Sequence, residues 1–205
     1  MELKVWLAYV ATAVIFSLAP GSGTVNSIAN GINFGMRKSL SAIAGLQLGL
    51  AFHIVLVGAG IGALVAQSAL AFTLIKWVGV AYLIWLGIQK WRDNKGFKLV
   101  ESHQQISAGT LLKQAVFINL TNPKSIVFLV ALFPQFIDPS LPHLPQLLIL
   151  GVTTIAIDGM VMLGYTGLAA QMGRFIRSDK IIGKLNKIFG SMFIGCGLLL
   201  AAAKG

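Results

Sequence analysis

The chain has 205 residues, 56% hydrophobic and 11% charged, with 16 Lys and Arg against 6 Asp and Glu and a net charge of +10. A soluble domain carries about 25% charged residues. This chain therefore lacks the polar cover of a water-facing fold, and lipid is its natural solvent. The basic residues cluster between apolar stretches instead of forming an amphipathic stripe, which argues against a nucleic-acid partner and for contact with anionic headgroups. Cys196 is the single cysteine, so an intrachain disulfide and a CxxC redox site are excluded.

A helix needs about 20 apolar residues to cross the hydrocarbon core. The pattern predicts one membrane domain over residues 1–205, all α, with six transmembrane helices. The first begins near Leu3, breaks at Pro20-Gly21 and resumes toward Ile32. Glu2 offsets Lys4, and membrane-like sequence follows the break, so this segment reads as retained instead of cleaved. The second runs from about Ser41 to Ala66 and the third from Ala69 to Gln89. The fourth runs from Leu111 to Ile137, interrupted at Asn122-Pro123. The fifth runs from Leu144 to Met172 and the sixth from Ile188 to Ala203.

Twelve of the sixteen basic residues fall in alternate connections or at the span edge beside one: Arg37 and Lys38, then Lys90, Arg92, Lys95, Lys98 and Lys113, then Arg174, Arg177, Lys180, Lys184 and Lys187. Only Lys4 and Lys204 lie on the other side, with Lys76 and Lys124 inside spans. The positive-inside rule puts those three connections in the cytoplasm and both termini in the periplasm.

The two halves, about 1–100 and 101–205, echo one another. Pro20-Gly21-Ser22 resembles Pro123-Lys124-Ser125. Gly45 precedes His53 much as Gly151 precedes Asp158. Lys76-Trp77-Val78-Gly79 resembles Lys187-Ile188-Phe189-Gly190. Three spans per half would enter the membrane from opposite faces, a 3+3 inverted-topology repeat of the kind secondary transporters use.

Proline removes a backbone donor and clashes with the preceding turn. In lipid the freed carbonyls need another partner, so a broken span belongs where it is buried or lines a wet cavity. Half-helices starting after Pro20-Gly21-Ser22-Gly23 and after Asn122-Pro123 would point N–H groups at a carboxylate or carbonyl. Asn119, Asn122, Ser125 and Lys124 supply further donors there. A plain proline kink would leave the same signature.

Asp158 lies mid-span on one face with Gly151, Thr154 and Tyr165. A carboxylate at that depth is costly and should face a cavity or partner. It reads as a binder of a substrate amine, a carrier of a coupling proton, or a structural pair. His53 titrates near neutrality and is a second candidate for proton coupling. It shares its face with Gly45 and Gly49, which permit close helix approach. Gln47 is a weaker polar candidate, and Gly190, Ile194 and Gly197 read as a packing groove. GxxxxGK[ST] and GxSxG are absent, and no His/Cys/Asp cluster has metal-ligand spacing, so no metal, cofactor or ATP site is expected.

Ser17-Leu18-Ala19-Pro20-Gly21-Ser22-Gly23, Ala44-Gly45-Leu46-Gln47, Ala81-Tyr82-Leu83-Ile84-Trp85-Leu86-Gly87 and Asn119-Leu120-Thr121-Asn122-Pro123-Lys124-Ser125 resemble the LysE/RhtB family of amino-acid exporters. Phe133-Pro134-Gln135-Phe136 and Asn186-Lys187-Ile188-Phe189-Gly190-Ser191 extend the resemblance over essentially the whole chain. The contexts of His53 and Asp158 are most similar to members exporting homoserine and its lactone. The resemblance implies a bacterial inner-membrane exporter, not an enzyme. It implies efflux of a small neutral amino acid driven by the proton gradient. Family members divide among several amino acids, so substrate and oligomeric state, a homo-oligomer included, stay open. A passive channel or scaffold, and more remotely an intramembrane enzyme, are the competing readings.

Overall fold

The computed structural model describes residues 1–19, 21–67, 69–92, 106–176 and 179–202. Pro20, Lys95, Lys98, Arg177, Ala203 and Lys204 lie outside the described residues, as do the side chains of Lys76, Lys90, Pro123, Arg174, Lys180 and Cys196. Among the described residues the regular structure is all helical: α1 Leu3–Leu18, α2 Ser22–Gln67, α3 Ala69–Arg92, α4 Ala108–Leu120, α5 Pro123–Leu132, a 3-10 turn Phe133–Phe136, α6 His143–Ile176 and α7 Asp179–Ala202.

α1 buries Tyr9, Ala13, Phe16 and Ser17 along one face and leaves Leu3, Leu7, Val14 and Leu18 exposed. It stops because Ala19 turns extended, its N–H closing on the carbonyls of Ile15 and Phe16. α2 then begins at Ser22, and the Val25 N–H bonds the Gly21 carbonyl.

α2 is two arms. Gly35, at φ 70° and ψ 175°, leaves helical space. It is the only described residue with positive φ, a conformation glycine adopts without steric cost. The contacts show a reversal there. On the first arm the Ser27 hydroxyl meets Met162 and the Ser27 carbonyl accepts from Thr166. Gly31 lies against Thr166 and Ala169, so this arm runs parallel to α6. On the second arm Gln47 meets Asp158, Ile54 meets Gly151 and Gly58 meets Leu147, so that arm runs antiparallel to α6. α1 shares the first arm's direction: Trp6 bonds Thr153, Tyr9 bonds Thr154, and Tyr165 bonds Leu18.

The second broken element is capped where the sequence places its break. Ser107 caps α4 by accepting from the Thr110 N–H. The Asn122 side chain accepts from the Lys124 N–H and starts α5, with proline at the helix opening, where a missing donor costs nothing. The pair 108–120 and 124–136 bends by 52°.

α2 packs between α4 and α6, α3 packs on α7, and α1 lies on α6. Lipid offers no hydrophobic drive between helices, so close contact rests on small residues and hydrogen bonds. A Cβ on Gly45 would strike the Leu112 carbonyl, and one on Gly49 would stand 2.8 Å from the Asn119 Cβ. Gly190 lies against the Gly87 carbonyl and Trp91, Ile194 against Gly87, and Gly197 against Ile84 and Leu83, which makes the expected packing groove. The outer surface is apolar: Leu48, Phe52, Val55, Leu144, Leu148 and Val152 are each more than half exposed, as a bilayer-facing surface requires.

Two boundaries differ from expectation. Arg37 and Lys38 lie on the second arm of α2, which starts directly after Gly35, and Lys184 and Lys187 lie on α7, which starts at Asp179. A helix ends where its hydrogen-bond ladder is interrupted, not where the hydrocarbon ends. By length and hydropathy, Ser22–Gly60 and His143–Gln171 are long and apolar enough to cross a membrane, and the bent pair adds a third if taken as one span. Leu3–Leu18 and the apolar part of α3, Trp77–Gln89, are shorter.

Candidate functional site

The two helix breaks touch. A Cβ on Gly21 would lie 2.9 Å from Cδ of Lys124 and 3.7 Å from Nδ2 of Asn122. Nζ of Lys124 donates to the Ala19 carbonyl at 2.5 Å and stands 4.3 Å from the centre of the Phe16 ring, which stacks on Phe128 at 3.7 Å. The carbonyls released by the breaks are met one by one. Ala19 takes Lys124, Leu18 takes the Tyr165 hydroxyl at 2.7 Å, and Ile118 takes the Ser22 hydroxyl at 3.4 Å. Nε2 of His53 lies 3.2 Å from the Leu120 carbonyl. A buried backbone acceptor without water needs such partners.

The second break is stiffened from within. Asn119 donates to the Leu46 carbonyl at 2.5 Å and accepts from Ser125 at 3.1 Å. Asn122 donates to the Ser125 hydroxyl at 3.1 Å. All three side chains are buried, so these bonds fix the opening of α5 against α2.

Asp158 comes to the same place from α6. Its Oδ2 accepts from Nε2 of Gln47 at 2.8 Å, and Ser17 and Lys124 line the cleft beside it. Asp158, Lys124, Asn122, Ser125 and Gly21 all line one cleft of about 400 Å³, much of it open to the exterior. Its enclosed part has room for about one or two water molecules. Phe16, Leu46, Leu50 and Met162 supply an apolar wall.

Of the residues singled out from the sequence, Gly21, Gly23, Asn119, Asn122, Lys124, Ser125, Thr154 and Asp158 line the cleft, and Gln47 reaches it through Asp158. Thr154 is already engaged, donating to the Leu150 carbonyl at 2.7 Å and meeting the Tyr9 hydroxyl. Ser22 is exposed and turned to the α4 backbone. His53 is buried against the end of α4 and is not part of the cleft lining. Pro123 opens α5, and Pro20 lies outside the described residues.

Sequence reasoning passed over Phe16, Ser17, Thr24, Leu46, Leu50 and Met162. Ser17 and Thr24 carried a usable signal: both are small and polar, within one turn of the first break. The apolar residues carried none. Among the described residues no group of three His, Cys, Asp or Glu could hold a metal ion.

Comparison with known proteins places these features in a lineage. The family model described as "LysE type translocator" matches residues 14–204. A Vibrio cholerae protein described as an uncharacterized membrane protein is 69% identical over the full length of both chains. A homoserine/homoserine lactone efflux protein of Salmonella typhimurium is 53% identical over all of this chain and 99% of that one. A leucine efflux protein of an Enterobacter species is 32% identical over 98% of this chain and 96% of that one. No solved structure matches.

Proposed function

Because the chain belongs to the LysE type translocator family of membrane proteins, we propose that it is a secondary exporter moving homoserine, homoserine lactone or a similar small neutral amino acid out of a bacterial cell at the expense of the proton gradient. The single observation that carries this reading is that Asp158 and both helix breaks line one cleft.

A zwitterion needs two opposite partners held a few ångströms apart. Asp158 faces the substrate's ammonium. Lys124 and the opening turn of α5 face its carboxylate, as a helix N-terminus favours. Asp158 exchanges the substrate ammonium for a proton, so each carboxylate turnover couples export to proton entry. The enclosed part of the cleft has room for water but not for an amino acid, so α1 and α5 must shift at their breaks to admit substrate.

The reading includes six crossings in a 3+3 inverted repeat. α1 and the first arm of α2 form the first crossing, the second arm of α2 the second, and α3 the third. α4 with α5, then α6, then α7 repeat that order. The contact directions support it. α1 and the first arm of α2 run with α6, the second arm runs with α4 and against α6, and α3 runs against α7. Arg37, Lys38 and Lys113 then sit at the cytoplasmic end, and both termini are periplasmic.

The test uses the purified protein in sealed vesicles with an imposed pH gradient. Homoserine accumulation that collapses with a protonophore is the expected result. Equal flux with and without the gradient would favour a passive channel instead.

A further inference from the structure

The first turn of α2 holds a polar atom that the fold does not use. Oγ1 of Thr24 is buried and has no hydrogen-bond partner, and Thr24 is 2% exposed while lining the cleft. A buried hydroxyl is almost always paired, and a threonine inside a helix usually satisfies itself on the preceding turn. Thr24 does neither.

Its neighbours are accounted for. Asp158 is taken by Gln47, Ser125 by Asn119 and Asn122, and Thr154 by Leu150 and Tyr9. The other buried atoms without partners near this region, Oε1 of Gln47 and Nδ2 of Asn26, belong to residues outside the cleft lining. Thr24 thus supplies the cleft lining with a hydroxyl that is buried without any hydrogen-bond partner. It stands beyond Gly23, whose missing side chain leaves Leu46 3.6 Å from the Cβ position and keeps the turn bare.

We propose that Thr24 is a specificity-determining residue that hydrogen-bonds the side-chain oxygen of the substrate. This rests on the export reading above. With the ammonium on Asp158 and the carboxylate at the opening of α5, a short hydroxylated amino acid keeps one polar group, its side-chain hydroxyl. A ring oxygen occupies the corresponding place in a lactone. A purely aliphatic amino acid would leave Thr24 buried and unpaired, and a site built around a hydrogen bond rejects such a ligand.

The test compares homoserine with norvaline, which has a methyl in place of the hydroxyl. Competition for homoserine counterflow is measured in vesicles holding the full chain, with Thr24→Val and Thr24→Ser beside the wild type. Wild type should prefer homoserine. Thr24→Val should weaken homoserine by about tenfold and leave norvaline unchanged or improved, while Thr24→Ser keeps the preference. Equal loss for both ligands in Thr24→Val, or an unchanged ratio, would overturn the assignment. If the wild type carries neither homoserine nor any other small neutral amino acid, the export reading falls as well. A wild type that carries both with equal affinity sinks the Thr24 assignment alone.

Discussion

The ammonium of Lys124, at the opening of α5, donates to the carbonyl of Ala19, just beyond the end of α1, across a distance of 2.5 Å. One side chain thereby ties the two helix breaks together, and it does so beside the Asp158 carboxylate. Lys124 is both a strut and one of the charges of the cleft. Lys124→Met keeps the length of the chain and removes the charge. It should destabilise the protein by about 1–3 kcal/mol, because the Ala19 carbonyl is left buried without a donor. It should also abolish homoserine transport. Thermal unfolding in detergent and vesicle flux check the two halves separately.

The glycines divide into those that a methyl group would disturb and those it would not. Gly45→Ala drives a Cβ onto the Leu112 carbonyl, backbone that cannot swing aside. Separating α2 from α4 should cost about 1–3 kcal/mol. Gly164 on α6 has nothing within 4 Å of its Cβ position. Gly164→Ala should gain about 0.5–1 kcal/mol from helix propensity. Opposite shifts in melting temperature are expected from two changes of the same chemistry.

Tyr165 holds the end of α1 by donating to the Leu18 carbonyl at 2.7 Å. Tyr165→Phe removes only that hydroxyl. The expected cost is about 0.5–1.5 kcal/mol, with faster hydrogen exchange in the last turn of α1. A protection pattern in α1 equal to that of the wild type would show that the bond does not secure the helix end.

Outside the helices, Asp138 accepts from the Ser140 hydroxyl at 2.6 Å and from the Ser140 N–H at 2.9 Å. These bonds, the hydroxyl's first, hold the carboxyl below its ordinary value. A depressed folded-state pKa stabilises above the unfolded value and is lost as pH falls through the folded one. Ser140→Ala should therefore melt below the wild type at about pH 7 and converge with it in acid. Melting curves recorded across that range decide it, and a gap that persists in acid contradicts it.

The legible parts of the fold were those written in local chemistry. Asn122-Pro123 announces a capped helix start, and the chain builds one there. The face carrying Gly151, Thr154, Asp158 and Tyr165 does point into the protein, each residue meeting α1 or α2. The partners were not legible, because they depend on how helices distant in sequence are brought alongside. Asp158 and His53 look like a matched pair on paper, yet Gln47, not His53, bonds Asp158. His53 lies six residues further along the same helix and meets the end of α4. Lys124 read as a substrate ligand, and the contact it makes in the structure is with the carbonyl of Ala19 at the end of α1. Thr24 showed in the sequence only as a small polar residue near the first break, since an unsatisfied hydroxyl is a property of the packed state.

In the proposed cycle Asp158 exchanges substrate for a proton in the cleft where the breaks meet. Asp158→Asn in vesicles separates the two roles, with gradient-driven homoserine accumulation measured alongside homoserine exchange at equal pH on both sides. Accumulation is expected to be lost while some exchange survives, since the amide oxygen still accepts a hydrogen bond but the group cannot take up or release a proton. Full accumulation by Asp158→Asn would contradict the cycle.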